Sequence, residues 1–351
     1  MAEQIWTIKK MLDWSRQYFA DNHIENPALD AQILLGHVLH MNKVDLIING
    51  MKPMDADELA AYKNVVIQRV KSHTPVAYIL GHKEFWSLPL KVSPDVLIPR
   101  PDTECIVEHA LAFIRAKIDK KPAPWIHADA GNVTYENIDS RQQYYEAVAE
   151  RESIEQDDTS AETSDADVHD DTDPENSPSP SDSPISIVDV GTGSGAIILA
   201  LATELTDVST KLTAIDISPA ALSIARENAA NLSLGNIDFI ESDLLDRFNG
   251  TADLIVSNPP YISDDEMKTL APEVLKEPDL ALRAGSRGLD VYNRLIPQAY
   301  KKLSQNGALL VEIGCTQSYD VESIFRTNGF GNIVTLRDYA KKPRIVAGIK
   351  V

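Results

Sequence analysis

From Ile185 onward the sequence alternates two hydrophobic patterns, and that alternation limits the fold more than any other feature. "ISIVDVG" reads as a buried strand, "GAIILALATEL" as the helix behind it and "KLTAIDIS" as a second strand. The helix "PAALSIARENAANL" and the strands "IDFIESD" and "ADLIVSN" follow. Strands separated by helical stretches of about 10 to 15 residues pair in parallel, so the expected fold is α/β with a doubly wound sheet. Ligands of such sheets lie beyond the carboxyl ends of the strands. The loops directly after these strands are therefore where function is to be sought.

The first 75 residues have a different texture. Ile5, Ile8, Met11, Leu12 and Phe19 recur at the spacing of one buried helical face, Pro27 suits the first turn of a second helix, and "DADELAAYKNVVIQRVKSH" carries acids early and bases late. These features predict a small N-terminal helical bundle over 1–75. In "PVAYILGHKEFWSLPLKVSPDVLIPR", Gly81, Pro89 and Pro94 punctuate short β-favouring runs, which predicts a β-hairpin linker over 76–100. The second domain then spans 101–351, beginning with a helix for which Asp102 and Thr103 are available as N-caps.

At about 119–183 the pattern dissolves. From Arg151 to Ser183 there are eight Asp and four Glu against the single Arg151, so more than half of the net charge of −20 sits in this one stretch. Such a composition cannot bury enough apolar surface to offset chain entropy, and a disordered acidic insert that interrupts the second domain is expected. The remainder is only mildly acidic. Residues 1–100 hold eleven Lys+Arg and eleven Asp+Glu, a balance without the basic surface that phosphate-rich partners require. No apolar run is long enough to cross a bilayer, and "MAEQIWTIKK" lacks the apolar core of a signal peptide, so no membrane association and a cytoplasmic location are expected. The two cysteines, Cys105 and Cys315, are far apart and the histidines form no ligand cluster, so no metal is called for.

"DVGTGSGA" lies at the first strand-to-helix turn. Gly191, Gly193 and Gly195 permit positive φ, and Thr192 and Ser194 lie between them where a helix N-terminus begins. The spacing also fits Gly-x-Gly-x-x-Ala, so the loop alone does not choose between a nicotinamide and an adenosyl cofactor. Asp216, ending the second strand, can accept hydrogen bonds from both hydroxyls of a ribose. Asp243, after the third strand, is placed for an adenine amino group, with Leu244 or Leu245 against the ring.

The fourth strand decides between the two cofactors. "SNPPYI" has no use in dinucleotide binding, whereas methyl transfer to a planar nitrogen needs such a group. An amide or exocyclic amino nitrogen has its lone pair delocalised and attacks a methyl donor poorly unless acceptors hold its N–H groups in line. Asn258 offers a side-chain carbonyl oxygen and Pro259 a backbone carbonyl, while consecutive prolines fix φ. Pro260 and Tyr261 complete the pocket, Tyr261 as a flat face for stacking.

In this order, "DVGTGSGAIILALA", "AIDISPAAL" and "SNPPYI" resemble a class I S-adenosylmethionine-dependent methyltransferase that methylates amino groups. The upstream "PVAYILGHKEFWSLPLKVSPDVLIPRPDTE" resembles the release factor glutamine methyltransferases of the HemK/PrmC family, and "LAPEVLKEPDLAL", "GLDVYNRLIP", "GALLVEIG" and "RDYAKKPRIV" continue the likeness. The resemblance implies a seven-stranded Rossmann-like methyltransferase domain behind the helical bundle. It further implies S-adenosylmethionine as cofactor and methylation of the side-chain N5 of the glutamine in the Gly-Gly-Gln motif of class I peptide chain release factors. By the same resemblance Gly191 to Gly195 and Asp216 bind cofactor, Asn258 meets both cofactor and glutamine, and Pro259, Pro260 and Tyr261 shape the glutamine pocket. Phe85 and Arg100, with Pro101 and Glu104, support it, and the helical domain over 1–75 grips the release factor. Where relatives can carry a tryptophan over adenine, this chain has Leu244. The competing reading is an N6-adenine nucleic-acid methyltransferase, disfavoured by the neutral balance of residues 1–100, so no direct nucleic-acid binding is expected; the enzyme is further expected to be a monomer.

Overall fold

A computed structural model describes residues 5–123, 125 and 183–351. Most of the acidic stretch at about 119–183 lies outside the described residues, and with it the expectation of disorder there.

Five helices build the N-terminal bundle: α1 (Ile8–Asp21), α2 (Pro27–Leu39), α3 (Lys43–Ile48), α4 (Ala56–Lys71) and α5 (Val76–Leu80). Their starts are written locally. Pro27 occupies the first turn of α2, and Asn42 and Asp55 each close a reciprocal capping box, with Asp45 and Glu58 respectively. Phe19, Leu34, Leu35, Leu46 and Tyr62 form the buried centre, where the Tyr62 hydroxyl donates to Ser15 Oγ at 2.9 Å. Ile5 departs from its expected place on the buried face. It precedes the N-cap Thr7 and is 63% exposed.

The hairpin region also differs from expectation at its start, where Val76–Leu80 is a helical turn. Pro75 sets the entry, and Val76 and Ile79 pack on the bundle, so burial overrides the β preference of these residues. The hairpin itself, β1 (His82–Phe85) and β2 (Leu88–Lys91), turns through Trp86 and Ser87, both at positive φ (54° and 60°). It is fastened to the second domain. The Trp86 indole donates to Glu204 at 2.6 Å, and Lys91 and Asn228 exchange two hydrogen bonds at 2.7 and 3.1 Å.

The second domain opens with α6 (Glu104–Ile118) and contains β3 (Ile185–Val190), β4 (Thr210–Asp216), β5 (Ile237–Glu241), β6 (Ala252–Ser257), β7 (Leu303–Glu312), β8 (Phe330–Arg337) and β9 (Pro343–Lys350). These form one seven-stranded sheet in the order β5-β4-β3-β6-β7-β9-β8. All pairings are parallel except those of β9, which runs antiparallel to both β7 and β8. Helices cover both faces: Ile106, Ile114 and Leu199 belong to one buried layer, Tyr292, Leu295 and Phe325 to the other. The chain winds from β3 out to β5 and then returns to the far side of β3, so the switch point lies at β3 and β6. Among the described residues no helix is long and apolar enough to cross a membrane.

Arg69 joins the two domains. Its Nε donates to Asp30 at 2.7 Å within the bundle, and its Nη1 pairs with Glu273 from the second domain. The Arg69 side chain is 5% exposed, and burial raises the Asp30 carboxyl above the usual range against the opposing pull of Arg69. Removing one partner of a buried pair leaves the other charge uncompensated. Arg69→Ala is therefore expected to lower the unfolding free energy by roughly 3 kcal/mol or more, measured by urea denaturation; a loss under about 1 kcal/mol would show that the pair does not hold the bundle.

Candidate active site

The loops after β3, β4, β5 and β6 converge on a cavity of about 260 Å³. Gly191, Thr192, Gly193 and Ser194 line its floor, with Asp216 and Ile217 on one side and Asn258 and Pro260 on the other. Asp243 and Leu244 close one end, and Arg100 and Thr103 reach in from the segment that precedes α6.

Two glycines show why the loop has this sequence. At Gly193, φ is +56° and the N–H donates to Asp216 Oδ2 at 2.8 Å. Gly195 does not line the cavity: φ is +86°, and a Cβ there would stand 2.9 Å from Leu199 Cδ1 and 3.3 Å from Ala225 Cβ. Its role is to let the following helix, Ala196–Glu204, sit close against its neighbours. The other Asp216 oxygen, Oδ1, accepts the Ser218 N–H at 2.9 Å, and Ser218 caps the helix Pro219–Asn231. Burial raises the Asp216 carboxyl, while the N–H groups of Ser218, Gly193 and Ile217 oppose that shift. Each carboxylate oxygen retains a second lone pair for a ligand hydroxyl.

Asp243, expected to meet an adenine amino group, borders the cavity and also carries an ion pair that the sequence does not reveal. Its Oδ2 receives Arg294 Nη2 at 2.6 Å, and both side chains border the cavity. Leu244 does line the cavity. Its φ of +49° is a conformation that costs a non-glycine residue roughly 1–2 kcal/mol.

The Asn-Pro-Pro-Tyr segment divides between the cavity and the body behind it. Asn258 and Pro260 face the cavity, and Pro259 is buried. Tyr261 lies outside the lining, its ring packed on the second buried layer and its carbonyl accepting from Gln317 Nε2 at 3.0 Å. Burial foremost, with Glu312 nearby, pushes the Tyr261 hydroxyl up to about 12, so it keeps its proton near neutrality. Phe85 is also outside. It is 1% exposed and belongs to the same buried cluster as Cys105, Ile106 and Val107 of α6. Arg100 pairs with Glu277, a buried acid that also accepts the Ile98 N–H at 3.0 Å. Glu104 accepts the Trp86 N–H at 2.9 Å and fixes the hairpin turn.

Thr103 was expected at a helix N-cap, yet its side chain makes no capping bond. Instead its Oγ1 accepts Asn258 Nδ2–H at 3.2 Å. Thr103, Glu277 and Arg294 are site residues that patterning does not reveal, because their neighbours in the cavity come from segments more than 50 positions away. The "PRPDTE" and "KEPDLAL" strings carry two of them, but only as part of a family likeness.

Asp189, next to last in β3 beside the loop, accepts Thr192 Oγ1–H at 2.7 Å and has its other oxygen buried without a hydrogen bond. Burial, helped by Asp216 and opposed by Thr192, pushes its carboxyl up to about 7. The folded protein therefore holds this proton to higher pH than the unfolded chain, which releases it near the usual carboxylate value. The group disfavours folding progressively between about pH 4 and 7 and adds no further change above that range. Asp189→Asn is expected to reduce the fall of stability with pH across this interval, measured by denaturant unfolding at several pH values; an unchanged slope would contradict the assignment.

A family model described as "PrmC N-terminal domain" matches residues 10–81, and one described as "Methyltransferase small domain" matches residues 180–289. Fold, loop placement and the second match together define an S-adenosylmethionine-dependent methyltransferase. A release factor glutamine methyltransferase of Geobacter sulfurreducens is 34% identical over 347 residues, covering 98% of this chain and 97% of the relative. Those of Buchnera aphidicola subsp. Baizongia pistaciae and Vibrio cholerae are also 34% identical, covering 93% of both chains and 97% and 96% respectively. The chain belongs to the release factor glutamine methyltransferase family.

Proposed function

We propose that this enzyme transfers a methyl group from S-adenosylmethionine to the side-chain N5 of the glutamine in the Gly-Gly-Gln motif of class I peptide chain release factors. The observation that carries the reading is Asn258 at the cavity wall, held by Thr103 across from the glycine loop and Asp216. When bound, the cofactor supplies an electrophilic sulfonium methyl group. The backbone of Gly191 to Ser194 would hold its amino-acid part, Asp216 its ribose hydroxyls, and Ile217 and Leu244 the faces of its adenine. An open cavity with the half-buried Asp216 carboxylate and largely apolar walls suits an adenosyl group.

The remaining work belongs to this chain's own residues. Asn258 Oδ1 and the Pro259 carbonyl accept the two N–H groups of the substrate amide and hold its nitrogen in line, so that orientation and electrostatics favour rehybridisation. Pro260 closes the wall beside them. Tyr261 backs the segment and keeps its proton, so it does not serve as a base. None is needed, because an alkylated amide nitrogen is strongly acidic and releases its extra proton to water. The helical bundle over 1–75 grips the protein substrate. Its equal numbers of acidic and basic residues, counted through Arg100, favour a protein over a polyanionic duplex.

With labelled S-adenosylmethionine, a release factor should acquire label in the peptide that contains its Gly-Gly-Gln glutamine, and duplex DNA should acquire none. Labelled DNA beside an unlabelled release factor would reverse the assignment. Asn258→Ala should lower kcat by roughly 10²- to 10³-fold, the cost of losing one preorganised partner of the reacting group, with cofactor affinity changed only a few-fold. Asp216→Ala should instead weaken cofactor binding at least about tenfold in calorimetry, about 1.4 kcal/mol; unchanged affinity would remove Asp216 from the cofactor site.

A further inference from the structure

We propose that Thr103 and Glu312 act as a relay that fixes which way round the Asn258 amide faces, making both of them positioning residues for methyl transfer. The proposal rests on the reading of Asn258 as acceptor for the substrate amide.

Three segments distant in sequence meet here: the start of α6, the end of β6 and the end of β7. Asn258 Nδ2–H donates to Thr103 Oγ1 at 3.2 Å, and the Thr103 hydroxyl lies within hydrogen-bonding reach of the Glu312 carboxyl. Thr103 is 4% exposed and Glu312 1% exposed, so water does not substitute for either. Glu312 makes a poor structural residue. Its Oε2 is buried without a hydrogen-bond partner, and the nearby Arg344 guanidinium is bonded to Asp102 and Asp338 at 2.9 and 3.0 Å. An acid held this way costs stability that an apolar side chain of similar size would not.

The arrangement makes sense as control of hydrogen-bond direction. A hydroxyl has one proton and two lone pairs, so it can face either end of an amide. Once its proton is committed to Glu312, only lone pairs remain for Asn258. The Nδ2 end must then turn to Thr103, because Oδ1 there would set two acceptors against each other. Oδ1 is thereby left for the substrate. Burial pushes the Glu312 carboxyl up to about 7. In either protonation state it keeps an oxygen able to accept from Thr103.

The test compares variants of the full chain that keep or remove each hydrogen bond. Thr103→Ser and Glu312→Gln retain a hydroxyl and an acceptor oxygen and should keep kcat within about twofold. Thr103→Val and Glu312→Met should lower kcat roughly ten- to hundredfold with KM for S-adenosylmethionine unchanged. The double variant Thr103→Val/Glu312→Met should be no worse than the poorer single one, because both act through one hydroxyl. Multiplied losses, or equal kcat for Glu312→Met and Glu312→Gln, would overturn the relay. Should Thr103→Val fail to fold, the Glu312 pair decides alone.

A second readout needs no substrate. The Asn258 side-chain NH2 signals, identified by their loss in Asn258→Ala, should show slow hydrogen exchange in the wild type and in Glu312→Gln and fast exchange in Glu312→Met. Equal exchange in the two Glu312 variants would also overturn the relay. A wild-type enzyme that leaves the release factor unmethylated contradicts the substrate reading alone, since these signals still judge the relay.

Discussion

The site depends on the register of one strand. Val190 pairs with Ile215 of β4 on one side and with Ser257 of β6 on the other, so the next residues, Gly191, Asp216 and Asn258, lie at a common level at the sheet's edge. The Ser257 hydroxyl donates to the Val190 carbonyl at 2.6 Å and reinforces that alignment. A slip of one residue would turn every side chain to the opposite face of the sheet. It would also separate the glycine loop from the two polar groups that flank it. The buried runs of β3 and β6, each packed on both faces, make such a slip expensive.

Around this fixed level the other segments are held by charge. Glu273 and Glu277, both on the stretch that follows β6, receive Arg69 from the helical bundle and Arg100 from the linker. The wall of the cavity opposite the glycine loop is therefore tied to the domain proposed to grip the substrate. Glu277 is nearly inaccessible and also accepts the Ile98 N–H, so the linker's path past the cavity is determined at two points. The hairpin adds a third attachment through Trp86 and Lys91, and Phe85 serves that attachment from within.

Much of this was legible in the sequence because the signals are local. The strand and helix alternation, the glycine loop, Asp216 at a strand end, Ser218 before Pro219 and Pro27 at a helix start all depend on near neighbours. Val76–Leu80 is helical against the β preference of its branched residues because Val76 and Ile79 pack on the bundle. Thr103 is an N-cap residue type at a helix start, yet its hydroxyl is engaged by Asn258, 155 positions away. Asp243 stands at a strand end that the sequence marks, whereas its ion pair with Arg294 belongs to the tertiary fold. Tyr261 and Phe85 belong to the correct region. Their side chains pack into the buried layers and not on the cavity wall, because aromatic rings of that size gain most from burial.

The central claim is that Asn258 presents an acceptor to an amide nitrogen in the cavity. A crystal structure of the enzyme with S-adenosylhomocysteine and a release-factor domain carrying the Gly-Gly-Gln motif tests it most directly. The account predicts the glutamine nitrogen within about 3 Å of both Asn258 Oδ1 and the Pro259 carbonyl oxygen. A glutamine side chain bound elsewhere, or facing Asn258 Nδ2, would contradict it.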